Sequence, residues 1–384
     1  VTRPPTDPGS PGPEPALGLL GLLLPLLLCL GAAACDAPPD EAVVALVYPV
    51  SPEMVASVAS DALEERRAPG GNGPRIRFEV HDIEAWQSLD AHLERAESLA
   101  RRPEVVGVVG HGGSRPDLAA GPVYAERRIP HVSPSSTSRR LPKVAPSIFL
   151  LAPDNKLQGG FLARFAAEHL GAASALLFFV NDEYGTGLGE EIAAGLEEGG
   201  VELVDRIPVS QTNDPAPLLE AALREGPVDV VMVAARGEVT GTLARLIEER
   251  GLDLPVVAGD GAYNMEVLRE HLAGVEAELY VAGFWFPTRD DPEDEAFVAS
   301  FRELAGRDPT WAEAFAYDGL LLLATAAREE GADRERIRAH LEALGEDDPP
   351  YPGVTGPIAF NGQTSPPLMV ARMTSTGFEL VPFP

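Results

Sequence analysis

The stretch VVGVVGHGGSRPDLAAGPVYAERRIPHVSPSSTSRRL, residues 105–141, decides the fold. It opens on an uncharged run of Val and Gly, which reads as a strand buried on both faces. Gly112, Gly113 and Ser114 follow at once, then a helical pattern, a second short apolar run ending near Val132, and Ser-Pro-Ser-Ser-Thr. Strand, loop, helix, strand is the repeating unit of a parallel sheet, because right-handed crossovers leave few other connections. In such sheets ligands sit beyond the carboxyl ends of the strands, where loops lead into helices. A helix start carries unpaired N–H groups and about half a positive charge, and bare glycines let backbone approach a ligand closely. The two loops, with Ser114 on one and Ser135, Ser136 and Thr137 on the other, therefore read as two walls of a site for a small anion. Alone, the same hydroxyls would equally serve as helix caps and turn stabilisers.

Outward from this stretch the pattern repeats. The runs AVVALVY (42–48), ALLFFV (175–180) and VVMVAA (230–235) read as further buried strands, and SPEMVASVASDALEERR, SLDAHLERAESLARR and TGTLARLIEERGL as helices between them. Strand and helix units fall in two series, 42–132 and 173–284. A long helical block and three late strand signals come afterwards, so the chain is expected to cross between two lobes more than once. A length of 384 residues also suggests about two domains.

The net charge of −29 argues against a nucleic-acid partner, since an acidic surface repels phosphate. Residues 16–34 form an uncharged apolar run that ends in small residues before Cys35, the shape of a secretory signal. The run resembles the lipobox of bacterial lipoproteins, which implies a lipid on Cys35 and a periplasmic or cell-surface body tethered to a membrane. About 20 apolar residues are also enough to span a bilayer, so an uncleaved anchor is the alternative. Cys29 and Cys35 are the two cysteines, which leaves the body after residue 35 with no disulfide or cysteine metal site.

Four segments carry a resemblance: GHGGSRPDLAAGPVYAERRIPHVSPSST, FVNDEYGTGLGEEIAAGLEEGGVEL, AFAYDGLLLLATAA and GVTGPIAFN. In order and spacing they resemble the branched-chain amino-acid-binding proteins, the type I periplasmic solute-binding components of ABC transporters, from about residue 42 to 380. The resemblance implies an α/β fold of two Rossmann-like parallel-sheet lobes joined by three hinge crossings that closes around its ligand. The implied divisions are a signal segment over 1–35, a linker over 36–41, one lobe over 41–150 plus 286–350, and a second over 151–285 plus 351–384. It implies capture of an amino acid or related small carboxylate and delivery to an ABC permease, with no cofactor and no metal. Ser114, Ser135 and Thr137 fall where the family holds the α-carboxylate and helps hold the α-amine. Asp260 falls where an acid pairs with the ammonium, and Tyr184 where an aromatic packs on the ligand. Arg236 stands where amino-acid binders of the family can carry an aromatic. Inside the cleft its guanidinium would favour a second anionic group on the ligand; at the rim it would face solvent. The loop YPVSPEM (48–54) lacks a glycine-rich turn, and Trp285 and Phe286 read as core.

An enzyme is the first rival. GTGLG (185–189), with Asp205 twenty residues after Gly185, is similar to a dinucleotide-binding turn, but Glu190 stands where a third glycine would face pyrophosphate. No G-x-S-x-G, P-loop or H-E-x-x-H occurs, and the histidines are scattered. His111 and His131 flank the expected cleft without a third metal ligand in view. The second rival is a ligand sensor, or a contact regulator of a cell-envelope enzyme, built on the same fold.

Overall fold

The computed structural model describes residues 41–66, 73–83, 88–210, 214–287, 292–360, 367–375 and 377–383. The signal segment, the expected lipid site at Cys35 and the linker up to residue 40 lie outside the described residues.

The first sheet contains β1 (Glu41–Val47), β2 (Arg75–His81), β3 (Val105–Gly110), β4 (His131–Ser133) and β5 (Ile148–Leu150). All pairings are parallel, in the order β2-β1-β3-β4-β5. Alternate residues of β1 serve opposite faces: Val44 and Leu46 enter one apolar cluster, and Val43, Ala45 and Val47 another. Burial of both faces explains why this strand reads as a continuous apolar run.

The second sheet begins with β6 (Ser174–Val180), β7 (Glu202–Val209), β8 (Val230–Ala234), β9 (Val256–Ala258) and β10 (Leu279–Gly283). After the hairpin of β11 (Tyr351–Gly353) and β12 (Gly356–Ile358), the chain adds β13 (Met369–Met373) and β14 (Phe378–Val381). The order is β14-β13-β10-β9-β8-β6-β7, parallel except for antiparallel β13 and β14 at one edge. Leu176, Phe178 and Val180 pack on one face, and Ala175 and Leu177 on the other.

The fold is α/β with two parallel-sheet lobes. Both sheets share one winding: the chain starts one strand in from an edge, adds that edge strand, then returns to build the other side. Each therefore has a switch point, between β1 and β3 in one and between β6 and β8 in the other, where neighbouring loops diverge and leave a crevice.

Among the described residues the chain passes between the sheets three times: after β5, after β10 and after β12. The middle passage sends Phe284 and Trp285 into the first lobe's core, followed by helices Pro292–Ala305, Trp311–Glu330 and Arg334–Ala343. The Trp311–Glu330 helix is apolar on nearly every side because it is buried in that core. One boundary differs from the expectation that residues from 351 onward join the second lobe. Tyr351, Val354 and Ile358 pack in the first lobe's core. Asp318, inside the buried helix, accepts the Val354 and Thr355 N–H groups at 2.9 Å and the Thr355 hydroxyl at 2.6 Å. A buried carboxylate must find donors, and the hairpin supplies three, so it stays with the helix.

Candidate functional site

A cleft of about 1170 Å³ opens where the two switch points face each other. Tyr48 follows β1 and Ser114 follows β3 on one side; Tyr184 follows β6 and Arg236 follows β8 on the other. Ser135, after β4, and Asp260, after β9, complete the walls.

On the first wall Ser114 opens the Ser114–Glu126 helix, and its Oγ accepts the Thr137 N–H at 3.4 Å, drawing the two loops together. Gly112, at φ +84°, lies so close to Pro49 that a Cβ would meet the ring at 2.4 Å. Behind both loops sits Asp117, fully buried. It accepts the His111 N–H and the Ser133 and Ser136 hydroxyls, and His131 Nε2 lies 3.3 Å away. Burial would raise its carboxyl, but His131, His111 and the Ser133 hydroxyl hold it below the usual carboxylate range. Asp117 thus fastens the loop after β3 to the loop after β4. Above it, burial lifts the Tyr48 phenol well beyond its ordinary value, against the pull of the Ser135 hydroxyl.

The second wall is built on Asp260, which is 4% exposed. Its Oδ1 accepts Tyr184 O–H at 2.9 Å and Gln158 Nε2 at 2.8 Å, while its own N–H donates to Gln158 Oε1 at 3.0 Å. Both side-chain bonds thus fall on Oδ1, the Gly261 N–H also acts on the carboxyl, and Asp260 lines the cleft. Burial pushes the carboxyl up to about 6, against the lowering influence of Gln158, Tyr184 and Arg236. A β-carbon at Gly261 would meet Tyr184 at 2.8 Å, so the GDG turn is what lets the phenol reach this loop. Tyr184 in turn accepts the Gly261 N–H at 2.8 Å.

Arg236 lines the cleft, pairs with Asp182 at 2.9 Å and lies 5.8 Å above the centre of the Tyr184 ring. It is neither free in the cavity nor turned away from it. Of the expected residues, Ser114, Ser135, Tyr184, Arg236 and Asp260 meet around one cavity. Ser136 and Thr137 do not join its walls: both are fully buried. The Ser136 hydroxyl is held by Asp117, and the Thr137 N–H and C=O are held by Ser114 Oγ and Asn155 N–H. Phe286, expected in the core, lines the cleft beside Tyr263, while Trp285 is core. Gln158, Asp117, Tyr263 and Trp311 carry structural weight here without having been singled out by sequence. For Tyr263 there was a signal, an aromatic three residues after the acid in the same loop. Among the described residues no cluster of His, Cys, Asp and Glu is placed to hold a metal ion.

A sequence model described as periplasmic binding protein matches residues 48–377. The chain belongs to the periplasmic binding protein family. This binding protein is 26% identical over 318 residues to "Leu/Ile/Val-binding protein homolog 1" of Brucella suis, covering 81% of this chain and 82% of that one. It is 27% identical over 282 residues to an "Amino acid binding protein" of Pseudomonas aeruginosa, with 72% and 73% covered. Its fold is similar to that of the leucine binding protein LivK of Thermotoga maritima, with a TM-score of 0.77 at 21% identity, covering 89% of this chain and 98% of that one. The resemblance carried by the four sequence segments holds, and with it the type I two-lobe architecture of this binding protein. Among the described residues no helix is long and apolar enough to cross a membrane.

Proposed function

We propose that this chain is an extracytoplasmic receptor that captures an amino acid or related small carboxylate between its lobes and delivers it to an ABC permease. One observation carries the reading: Ser114 at a helix start and Ser135 in the loop after β4 line one wall of the cleft, and the buried carboxylate of Asp260 lines the other. A zwitterion matches that polarity end for end. In this reading Ser114, Ser135 and the backbone N–H groups of their loops hold the ligand's carboxylate. Asp260 takes the ammonium, and Tyr184 both orients Asp260 and packs on the ligand. Ser136 and Thr137 act from behind by fixing the loop, and Arg236 acts through Tyr184 and Asp182. The ligand bridges the lobes and favours their closed arrangement by binding it better than the open one. The names of the relatives, which include leucine-, isoleucine- and valine-binding proteins, support an amino acid as the solute.

We place the lobe boundaries near residue 150, near residue 286 and after β12, a reading supported by the chain leaving one sheet for the other at these points. A lipid on Cys35 would tether the receptor beside the permease. This part of the reading rests on the sequence of residues 16–35. The test is a thermal-shift screen of the purified protein against amino acids, dicarboxylates and amides, since a true ligand raises the melting temperature by mass action. A screen in which amides stabilise the protein and no carboxylate does would overturn the reading.

A further inference from the structure

We infer that the part of the cleft walled by Tyr263, Phe286, Trp311 and Phe378 is a side-chain subsite for an aromatic group, which makes the solute an aromatic amino acid or a close carboxylate analogue. The inference rests on the proposed assignment of Ser114, Ser135 and Asp260 to the ligand's charged end.

All four side chains line the cavity that holds Asp260. The Tyr263 and Phe378 rings stack with centroids 4.5 Å apart and planes 20° apart, and Phe286 meets Tyr263 edge-on at 5.3 Å. Tyr263 packs against the apolar clusters of both lobes, so the wall spans the crevice instead of belonging to one side. It is also fixed relative to the acid: the Asp260 carbonyl accepts the Tyr263 N–H at 2.9 Å. A ligand whose amine meets Asp260 therefore has its side chain beside a ready-made aromatic face, and aromatic rings favour stacked or edge-on partners over branched aliphatic ones.

Two polar groups in this wall point the same way. The Tyr263 hydroxyl makes no hydrogen bond among the described residues. Trp311, only 5% exposed, has an indole N–H without a hydrogen-bond partner. A buried donor left unspent is uncommon in folded proteins, and a flat side chain carrying an acceptor at its tip would use the Trp311 indole N–H, with the half-buried Tyr263 hydroxyl as a second donor, where leucine or valine would not. A second acidic group is less well served. Arg236 is paired with Asp182, and Arg307 is paired with Glu313 through bonds of 2.5 and 3.0 Å. The cleft also exceeds the roughly 300–1,000 Å³ of ordinary small-molecule pockets, leaving room for a ring.

Calorimetry on the purified protein with L-tyrosine, L-phenylalanine, L-leucine and L-alanine tests this. Tyrosine should bind at least about ten-fold more tightly than alanine and several-fold more tightly than leucine. Tyr263→Leu, which keeps apolar bulk and whose melting temperature reports an intact fold, should lower the tyrosine-to-alanine affinity ratio by about ten-fold. Leucine or alanine binding as tightly as both aromatics, or a ratio unmoved in Tyr263→Leu, overturns the subsite. If Asp260→Ala still abolishes that binding, the charged end of the site survives the failure. If none of the four binds the wild-type protein, the charged end and the subsite fall together.

Discussion

Tyr184 donates its phenolic proton to Oδ1 of Asp260 at 2.9 Å, and Gln158 loads the same oxygen from the other side. The carboxylate is thereby held in place on the wall of the cleft. Replacing Asp260 by Ala should weaken an amine-bearing ligand by about 2 to 5 kcal/mol, the scale for breaking a buried charge pair. Titration calorimetry reads the loss directly. An unchanged affinity would remove Asp260 from the site.

The same carboxyl makes binding depend on pH. Its folded-state value, about 6, lies above the ordinary 3.8. The native state therefore keeps this proton where the unfolded chain has lost it. The resulting stability is complete below the unfolded value and disappears as pH rises through about 6. An ammonium ligand needs the ionised form, so its affinity should climb as pH rises through this range and then level off. Binding at about pH 5.5 should release a proton, and binding at about pH 7.5 should not, as seen by calorimetry in buffers of different ionisation enthalpy.

Arg236, after Gln158 and Tyr184, contributes to where that midpoint lies. Its charge helps keep the Asp260 carboxyl from rising further. Arg236→Gln removes the charge while leaving a polar side chain beside Asp182. The pH midpoint of ligand binding should then move upward, with affinity at alkaline pH changed much less. A midpoint that stays in place, or moves down, contradicts this role.

Asp117 holds the first wall from behind. Asp117→Ala would leave the His111 N–H and the Ser133 and Ser136 hydroxyls without their acceptor in a fully buried setting. Each orphaned buried donor costs about 1 to 3 kcal/mol, so the variant should melt well below wild type. Asp117→Asn keeps the shape and one acceptor oxygen and should recover part of the loss. Melting curves of the two variants decide between a tether and a bystander: equal, wild-type-like transitions would mean the latter.

Much of the architecture was legible because parallel strands are buried on both faces, which writes them as unbroken apolar runs such as VVGVVG and ALLFFV. The cleft was legible to the extent that it obeys the strand-end rule, which brought Ser114, Ser135, Tyr184, Arg236 and Asp260 together. Gln158 was not, since it reaches Asp260 from 102 residues away, within a helix of ordinary composition. Asp117 looked like any first-turn helical acid in SRPDL. Only the three-dimensional arrangement shows that it claims the Ser136 hydroxyl and so takes that side chain out of the cavity. The hairpin after residue 350 was misassigned for a similar reason. Its anchor, Asp318, is a single acid in the apolar run AFAYDGLLLL, and nothing local reveals which backbone it will bind.

The start of the Glu183–Glu198 helix joins three separate parts of the molecule through three consecutive residues. Asp182 holds Arg236, Glu183 reaches Ser138 at 2.8 Å and Arg140 at 2.6 Å beyond the first sheet, and Tyr184 grips Asp260. Because successive helical positions are locked in one rigid turn, a small slide of this helix end tugs on all three at once. The turn behaves as a gear tooth: whatever displaces the acid of one half is geared mechanically to the seam with the other.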